Sequence, residues 1–264
     1  MILDAILQDV RSDLEARQAI VPAGTLRERI REVPESLDLV EALRRPGVAL
    51  IAEIKRASPS QGTIRAELDA ADQAEAYALG GADALSVLTE GRRFGGRLPD
   101  LLAAREGLAR AGRNLPILRK DFVVDGYQLL EARAYGADAV LLIVAALDGD
   151  ALARLYAQAC DLGLTPLIEV HDQVELRRAL ALNPPLIGIN NRDLRDMRVS
   201  LETTRVLRGQ VPEGCLVVSE SGVHGADEMR RLSGWGVDAA LVGTALARAA
   251  DPTAAVLELV EAGL

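Results

Sequence analysis

Eight short apolar runs recur along this chain, and their number and spacing restrict its fold more than any other feature. They are "VALIAEI" (48–54), "ALSVL" (84–88), "LPILR" (115–119), "AVLLIV" (139–144), "TPLIEV" (165–170), "PLIGI" (185–189), "CLVVSE" (215–220) and "AALVG" (239–243). Each is rich in Val, Ile and Leu and shows little polar alternation, the pattern of strands buried on both faces of a parallel sheet. Between them lie segments such as "AADQAEAYALG", "LPDLLAAREGLARAG", "DGDALARLYAQACDLG" and "HDQVELRRALAL", whose apolar residues return at helical spacing. "DEMRRLSGWG" does the same before the last run.

Strictly alternating strands and helices predict an α/β fold with right-handed crossovers. Eight units in a chain of 264 residues match a (β/α)8 TIM barrel. A doubly wound open sheet would call for a Gly-rich turn after its first strand, and "EIKRASPSQG" contains no GxGxxG. Three runs are introduced by one phrase: "GGADALSVL" from 80, "YGADAVLLI" from 135 and "WGVDAALVG" from 235. Its glycine suits a helix C-cap. Its aspartates, Asp83, Asp138 and Asp238, stand at strand starts and read as structural. Trp235 reads as core.

Residues 1–45 precede the first unit and predict an N-terminal helical extension packed on the barrel of residues 46–264, one domain overall. Leu3, Ile6, Leu7, Val10 and Leu14 form one helical stripe, and "ESLDLVEALRRPG" reads as a second short helix stopped by Pro46-Gly47.

A formal net charge of -9 argues against a nucleic-acid surface. Cys160 and Cys215 form no CxxC pair, so neither a disulfide framework nor a zinc site is expected. The N-terminal stretch lacks the basic start and apolar run of a signal peptide. No window approaches the ~18 apolar residues of a membrane span. A cytoplasmic protein without a membrane partner, a monomer or weak homodimer, is the expectation.

Chemistry in such a barrel sits where the strands end. The first run ends in Glu53, Lys55 and Ser58, the third in Lys120, the fifth in Glu169 and His171, the sixth in Asn190 and Arg192, the seventh in Glu220. One charged strand end is commonly structural. Three carboxylates and two lysines converging on one mouth perturb one another's pKa values, as acid–base catalysis requires. "SESGV" and "VGTAL" place Ser221, Gly222, Gly243 and Thr244 after the last two runs, where barrels often bind phosphate. The two phenylalanines, Phe94 and Phe122, fall in loops beside the mouth and suit a flat aromatic ligand. His171 and His224 lack neighbouring His or Cys partners, so no metal site is expected, and both read as capping or surface residues.

Taken in order, "IAEIKRASPSQG", "LRKDFVVDGYQ", "LIEVHD", "GINNRDL", "VSESGV" and "LVGTAL" resemble the indole-3-glycerol-phosphate synthases of tryptophan biosynthesis over residues 48 to 250. The extension and "TEGRRFGGRL" depart from the family's usual form: the first helix is acidic here, and of the loop's aromatics only Phe94 stands. The resemblance implies a lyase that closes, decarboxylates and dehydrates 1-(2-carboxyphenylamino)-1-deoxyribulose 5-phosphate, with no metal or cofactor.

It also implies roles. Lys120 is the acid that protonates the ketone oxygen as the ring closes, a task best served by a pKa tuned toward neutrality. Glu169 is the base in dehydration, and Glu53, with Lys55 and Asn190, orients the intermediate or supplies the acid. Lys55 takes the substrate carboxylate, Arg192 pairs with Glu53, and Glu220 and Ser58 line the pocket. Phe94 and Phe122 hold the benzoate ring, while Ser221, Gly222, Gly243 and Thr244 cradle the phosphate. The alternatives are another phosphosugar barrel enzyme, such as phosphoribosylanthranilate isomerase, and a non-catalytic phosphometabolite-binding barrel. The isomerase would want a Cys/Asp acid–base pair at strand ends, where neither cysteine falls.

Overall fold

A computed structural model of the chain describes residues 2–59, 61–193 and 197–264. Eight parallel strands close into one barrel. They are β1 (Ala49–Ile54), β4 (Ala84–Leu88), β5 (Ile117–Lys120), β6 (Ala139–Ile143), β7 (Thr165–Val170), β8 (Leu186–Asn190), β9 (Leu216–Glu220) and β10 (Ala239–Val242). Each follows an apolar run of the sequence to within two residues at either end. The loop after β1 adds an unexpected two-stranded antiparallel turn of β2 (Ala57–Ser58) and β3 (Gly62–Thr63).

Helices α4 (Ala70–Leu79), α5 (Pro99–Arg110), α6 (Gly126–Ala134), α7 (Gly149–Asp161), α8 (Gln173–Leu180), α9 (Glu202–Arg208), α10 (Ala226–Gly234), α11 (Thr244–Arg248) and α12 (Pro252–Gly263) surround the barrel. Most start at an aspartate whose side chain takes free N–H groups of the first turn: Asp69, Asp125, Asp148, Asp172 and Asp251. Trp235 closes α10, half-buried against the core, with the Arg231 guanidinium 5.1 Å over its ring.

Strand alternation sorts the residues into two layers. Leu50, Ala52 and Ile54 of β1 face outward and join Leu85, Val87, Ile168 and Val170 in the layer beneath the helices. Ala49 and Ile51 face inward and join Leu118, Leu141, Leu167, Val218 and Leu241 inside the barrel. Continuing the inward face by twos leads to Glu53, Lys120, Glu169, Glu220 and Gly243. The apolar interior therefore ends in a ring of charge at the C-terminal rim.

The extension contains three helices: α1 (Ile2–Ile20), α2 (Ala23–Ile30) and α3 (Leu39–Leu43). The residues of the expected stripe, Leu3 to Leu14, are all buried. Leu14 and Leu26 pack on Tyr127 and Leu130 of α6, whereas Leu39, Val40 and Leu43 of α3 join the interior cluster from below and close the barrel floor. The extension thus reaches from the floor to the mouth, where Leu3 and Ile6 line the pocket.

The repeated Gly-x-Asp joint is a tie between neighbouring strands. Gly81, Gly136 and Gly236 adopt φ of 93°, 81° and 69°. The following aspartates accept the N–H of Leu50, Ile117 and Val217 at 2.8, 2.7 and 2.8 Å, and their own N–H groups return to the same residues' carbonyls. Among the described residues, no helix is long and apolar enough to cross a membrane.

Candidate active site

Every candidate residue named from the sequence lines one pocket at the C-terminal mouth: Glu53, Lys55, Ser58, Phe94, Lys120, Phe122, Glu169, Asn190, Arg192, Glu220, Ser221, Gly222, Gly243 and Thr244. Seven of the eight strand ends supply them, so barrel closure alone brings them together.

Lys120 occupies the centre. Its Nζ stands 3.1 Å from Glu220 Oε2 and 3.5 Å from Glu169 Oε2. Burial works against the ammonium, but the charges of Glu220, Glu169 and Glu53 outweigh it and raise the Lys120 pKa above its ordinary value. This corrects the expectation of a lysine tuned toward neutrality: desolvation points that way, and three carboxylates reverse it. The proton is held firmly at rest and leaves only for a stronger base, such as an oxyanion developing beside it.

The two carboxylates around Lys120 differ. Burial raises the Glu220 pKa to about 7; Lys120 lowers it by more than the neighbouring Glu169 and Glu53 charges raise it, but burial prevails. Its Oε1 has no hydrogen-bond donor among the described residues. Glu169 is equally buried, yet Lys120, His171 and the Asn190 amide hold its pKa below the ordinary carboxylate range. The carboxylate nearer the lysine is thus the more easily protonated, because Glu169 has further donors and Glu220 does not.

Glu53 and Lys55 pair at 2.7 Å. The expected Glu53–Arg192 pair takes a weaker form. Arg192 donates its Nη1 to the Met197 carbonyl at 3.2 Å and its backbone N–H to Asn190 Oδ1 at 3.0 Å. Burial lowers its pKa while the Glu53 charge, felt at a distance, raises it. Lys55 takes the place beside Glu53 because it leaves the same strand two residues on and reaches the same side.

Glycine makes room for these groups. A Cβ on Gly243 would stand 2.2 Å from Glu53 Oε1, and one on Gly188 2.2 Å from Glu220 Oε1. Ser221 and Gly222 both adopt left-handed φ, 64° and 91°, turning the chain sharply after β9. For Ser221 that conformation is strained, a mark of functional loops. The first N–H groups of α11, which starts at Thr244, have no intrahelical acceptor. Phe94 and Phe122 stand side by side, ring centroids 6.2 Å apart and tilted by 42°. Ser58 Oγ is buried there without a hydrogen-bond partner among the described residues.

His171 corrects a second expectation. It is neither cap nor surface residue: Asp172 caps α8, and the His171 ring lies largely buried between Glu169 and Glu175. The sequence signal was there, since His171 follows Glu169 by two on a strand end. His224 is exposed at the pocket rim. Arg119, the largest fully buried side chain, was also missed: it faces outward beneath Lys120 and binds Thr89, Asp121, Glu131 and the Gln128 carbonyl. Among the described residues no group of three or more His, Cys, Asp or Glu is arranged to hold a metal ion.

The family model described as indole-3-glycerol phosphate synthase matches residues 3–259. A protein of that name from Streptomyces griseus is 48% identical over 262 residues, covering 99% of this chain and 96% of the relative. One from Mycobacteroides abscessus is 46% identical over 262 residues, covering 99% and 94%. Among solved structures, 3-hexulose-6-phosphate synthase from Salmonella typhimurium superposes with a TM-score of 0.65 at 14% identity, covering 81% of this chain and 98% of that one. Thiamine phosphate pyrophosphorylase from Pyrococcus furiosus gives 0.61 at 20%, covering 85% and 97%. These two share the fold alone. With curated relatives near half identity over almost its full length, the chain belongs to the indole-3-glycerol phosphate synthase family.

Proposed function

We propose that the chain performs its family's carboxy-lyase reaction with Lys120 as the acid of ring closure and Glu169 as the base of dehydration. The observation that carries this reading is the position of Lys120 Nζ, charged and largely buried, between two carboxylates that differ in basicity.

The substrate, 1-(2-carboxyphenylamino)-1-deoxyribulose 5-phosphate, has three parts for the pocket to hold. The benzoate ring suits the Phe94–Phe122 pair. Its carboxylate suits Lys55, with the Ser58 hydroxyl as a further donor. The phosphate suits the Ser221–Gly222 turn and the Gly243–Thr244 start of α11, where backbone N–H groups converge.

Ring closure has an aromatic carbon attack the ketone. As its oxygen gains negative charge, Lys120 donates a proton, forming the hydroxyl and leaving a neutral amine. Loss of carbon dioxide returns its electron pair to the iminium made by closure, so the substrate is its own electron sink. Glu169 then removes the proton whose loss restores aromaticity, while the hydroxyl departs as water with a proton from the Glu53–Lys55 pair. Asn190 keeps Glu169 in place, Lys55 holds Glu53, and Glu220 modulates Lys120. Burial strengthens each of these charge interactions.

The assay is direct: incubation with this substrate gives indole-3-glycerol phosphate, followed by indole fluorescence. Absence of product at micromolar enzyme rejects the assignment. No observation favours the isomerase, for Cys160 lies exposed on α7 and Cys215 just before β9 at the barrel floor. The expectation of a monomer or weak homodimer in the cytoplasm is checked by sedimentation and fractionation.

A further inference from the structure

His171 stands outside the reaction scheme and yet touches its base. Three contacts fix it. Glu175, third residue of α8, turns back so that its Oε2 accepts the His171 backbone N–H at 2.8 Å. The same oxygen lies 3.0 Å from His171 Nδ1. The ring is thereby oriented with Nε2 toward Glu169 Oε1, at 3.3 Å and off the line of a hydrogen bond. Glu169 Oε2 faces Lys120 Nζ on its other side at 3.5 Å. The base is bracketed by two cationic side chains, one on each oxygen.

We propose that His171, held by Glu175, is a positioning residue for Glu169, whose imidazolium keeps that carboxylate ionised and aimed while Lys120 is discharged. The proposal rests on the reading of Lys120 as acid and Glu169 as base. When Lys120 passes its proton to the ketone oxygen, the N–H electron pair stays on Nζ and one of the two cations beside Glu169 disappears. A carboxylate buried among Glu53 and Glu220 would then gain basicity sharply and take up a stray proton before dehydration. A second cation that takes no part in the proton transfer prevents this.

The charged groups facing the ring are Glu169 from β7 and Glu175 from α8. Beyond Glu169 lie Lys120 on β5 and Glu220 on β9. With a carboxylate at each nitrogen, the doubly protonated form is favoured. Burial opposes it, but Glu169 and Glu175 prevail and push the His171 pKa up to about 10.

Two measurements test this. The chain has two histidines, so imidazole 15N–1H spectra with His224→Gln as the assignment variant identify His171. It is expected to remain an imidazolium past pH 8, and in Glu175→Gln to titrate at lower pH. Titration near the ordinary value of about 6.5 in the unsubstituted enzyme overturns the proposal. The second is the pH profile of kcat for His171→Asn and Glu175→Gln. Removing a cation raises the Glu169 pKa, so the acid limb moves up by about 1–3 pH units while KM stays near its starting value. A purely structural residue would lower thermal stability and leave that limb in place, and this result also overturns the proposal. Glu169→Gln separates the two levels: retained turnover there rejects Glu169 as base, whereas an inactive Glu169→Gln with an unmoved limb in His171→Asn rejects only the role of His171.

Discussion

The carboxylate of Glu53 occupies the space in which Gly243 would carry a side chain: a Cβ there would lie 2.2 Å from Glu53 Oε1 and 3.0 Å from Lys55 Nζ. Both obstacles are ends of flexible side chains, so the barrel tolerates a methyl group while the ion pair must move. Gly243→Ala is expected to fold and to lose on the order of 10²-fold in kcat/KM, the scale of a displacement of about 1 Å in a reacting constellation. Steady-state kinetics beside a thermal melt check it, and activity within threefold of the parent would show that the position of the pair is unimportant.

Lys120→Ala removes the acid and leaves the aromatic and phosphate contacts. Turnover is expected to fall by about 10²–10⁴-fold, the usual contribution of a positioned proton donor. Substrate should still bind, as read by quenching of intrinsic fluorescence. Near-normal turnover would mean that the proton comes from elsewhere.

Glu220→Gln tests the electrostatics around that lysine. The Lys120 ammonium is stabilised by neighbouring carboxylates, so removing one lowers its pKa. The basic limb of the kcat profile reports loss of the Lys120 proton and should move to lower pH by roughly 1–3 units. Movement to higher pH contradicts the assigned sign.

Ionic strength tests the contact between extension and mouth. Arg92 reaches Asp9 at 2.9 Å and also pairs with Asp13, and Arg93 reaches Asp9 at 2.6 Å, tying α1 to the loop that carries Phe94. These pairs are partly exposed and so partly screened by salt. Asp9→Asn with Asp13→Asn should raise KM severalfold at low salt, leave kcat nearly unchanged and flatten the salt dependence of KM. A parent enzyme whose KM ignores salt would show that the pairs do not hold the ring site.

Asp138 tests the floor. It accepts the N–H of Ile117 and of Leu37 at 2.7 and 2.9 Å and pairs with Arg105. Asp138→Ala strands two backbone donors and a partly buried guanidinium, at a cost of about 3–5 kcal/mol in urea unfolding.

Much of this was legible because a strand shows its two faces in alternation. Glu53 and Lys55 could be assigned to one side, and Lys120, Glu169 and Glu220 to the ends of buried runs, before any contact was known. The α3 plug was not legible in the same way, since "LVEAL" reads as a short helix wherever it packs. The extra helix α2 was also missed, its "AGTLRERI" burying only Leu26. The partner of Glu53 and the burial of His171 escaped as well: both depend on where a side chain from another segment, or one that folds back on its own, comes to rest.

The sequence by itself determined the eight βα units, the closure they require and the chemical types at the mouth, because periodicity and residue identity are local properties. Tertiary structure alone decided the charge states and pairings: Lys120 raised rather than lowered, Glu220 and Glu169 shifted in opposite directions, and His171 set behind the base. Those follow from burial and from distances of about 3 Å between Lys120 and carboxylates far from it in the chain, and from a His171 ring turned back on Glu169; Coulomb energy at that range is set by geometry rather than composition.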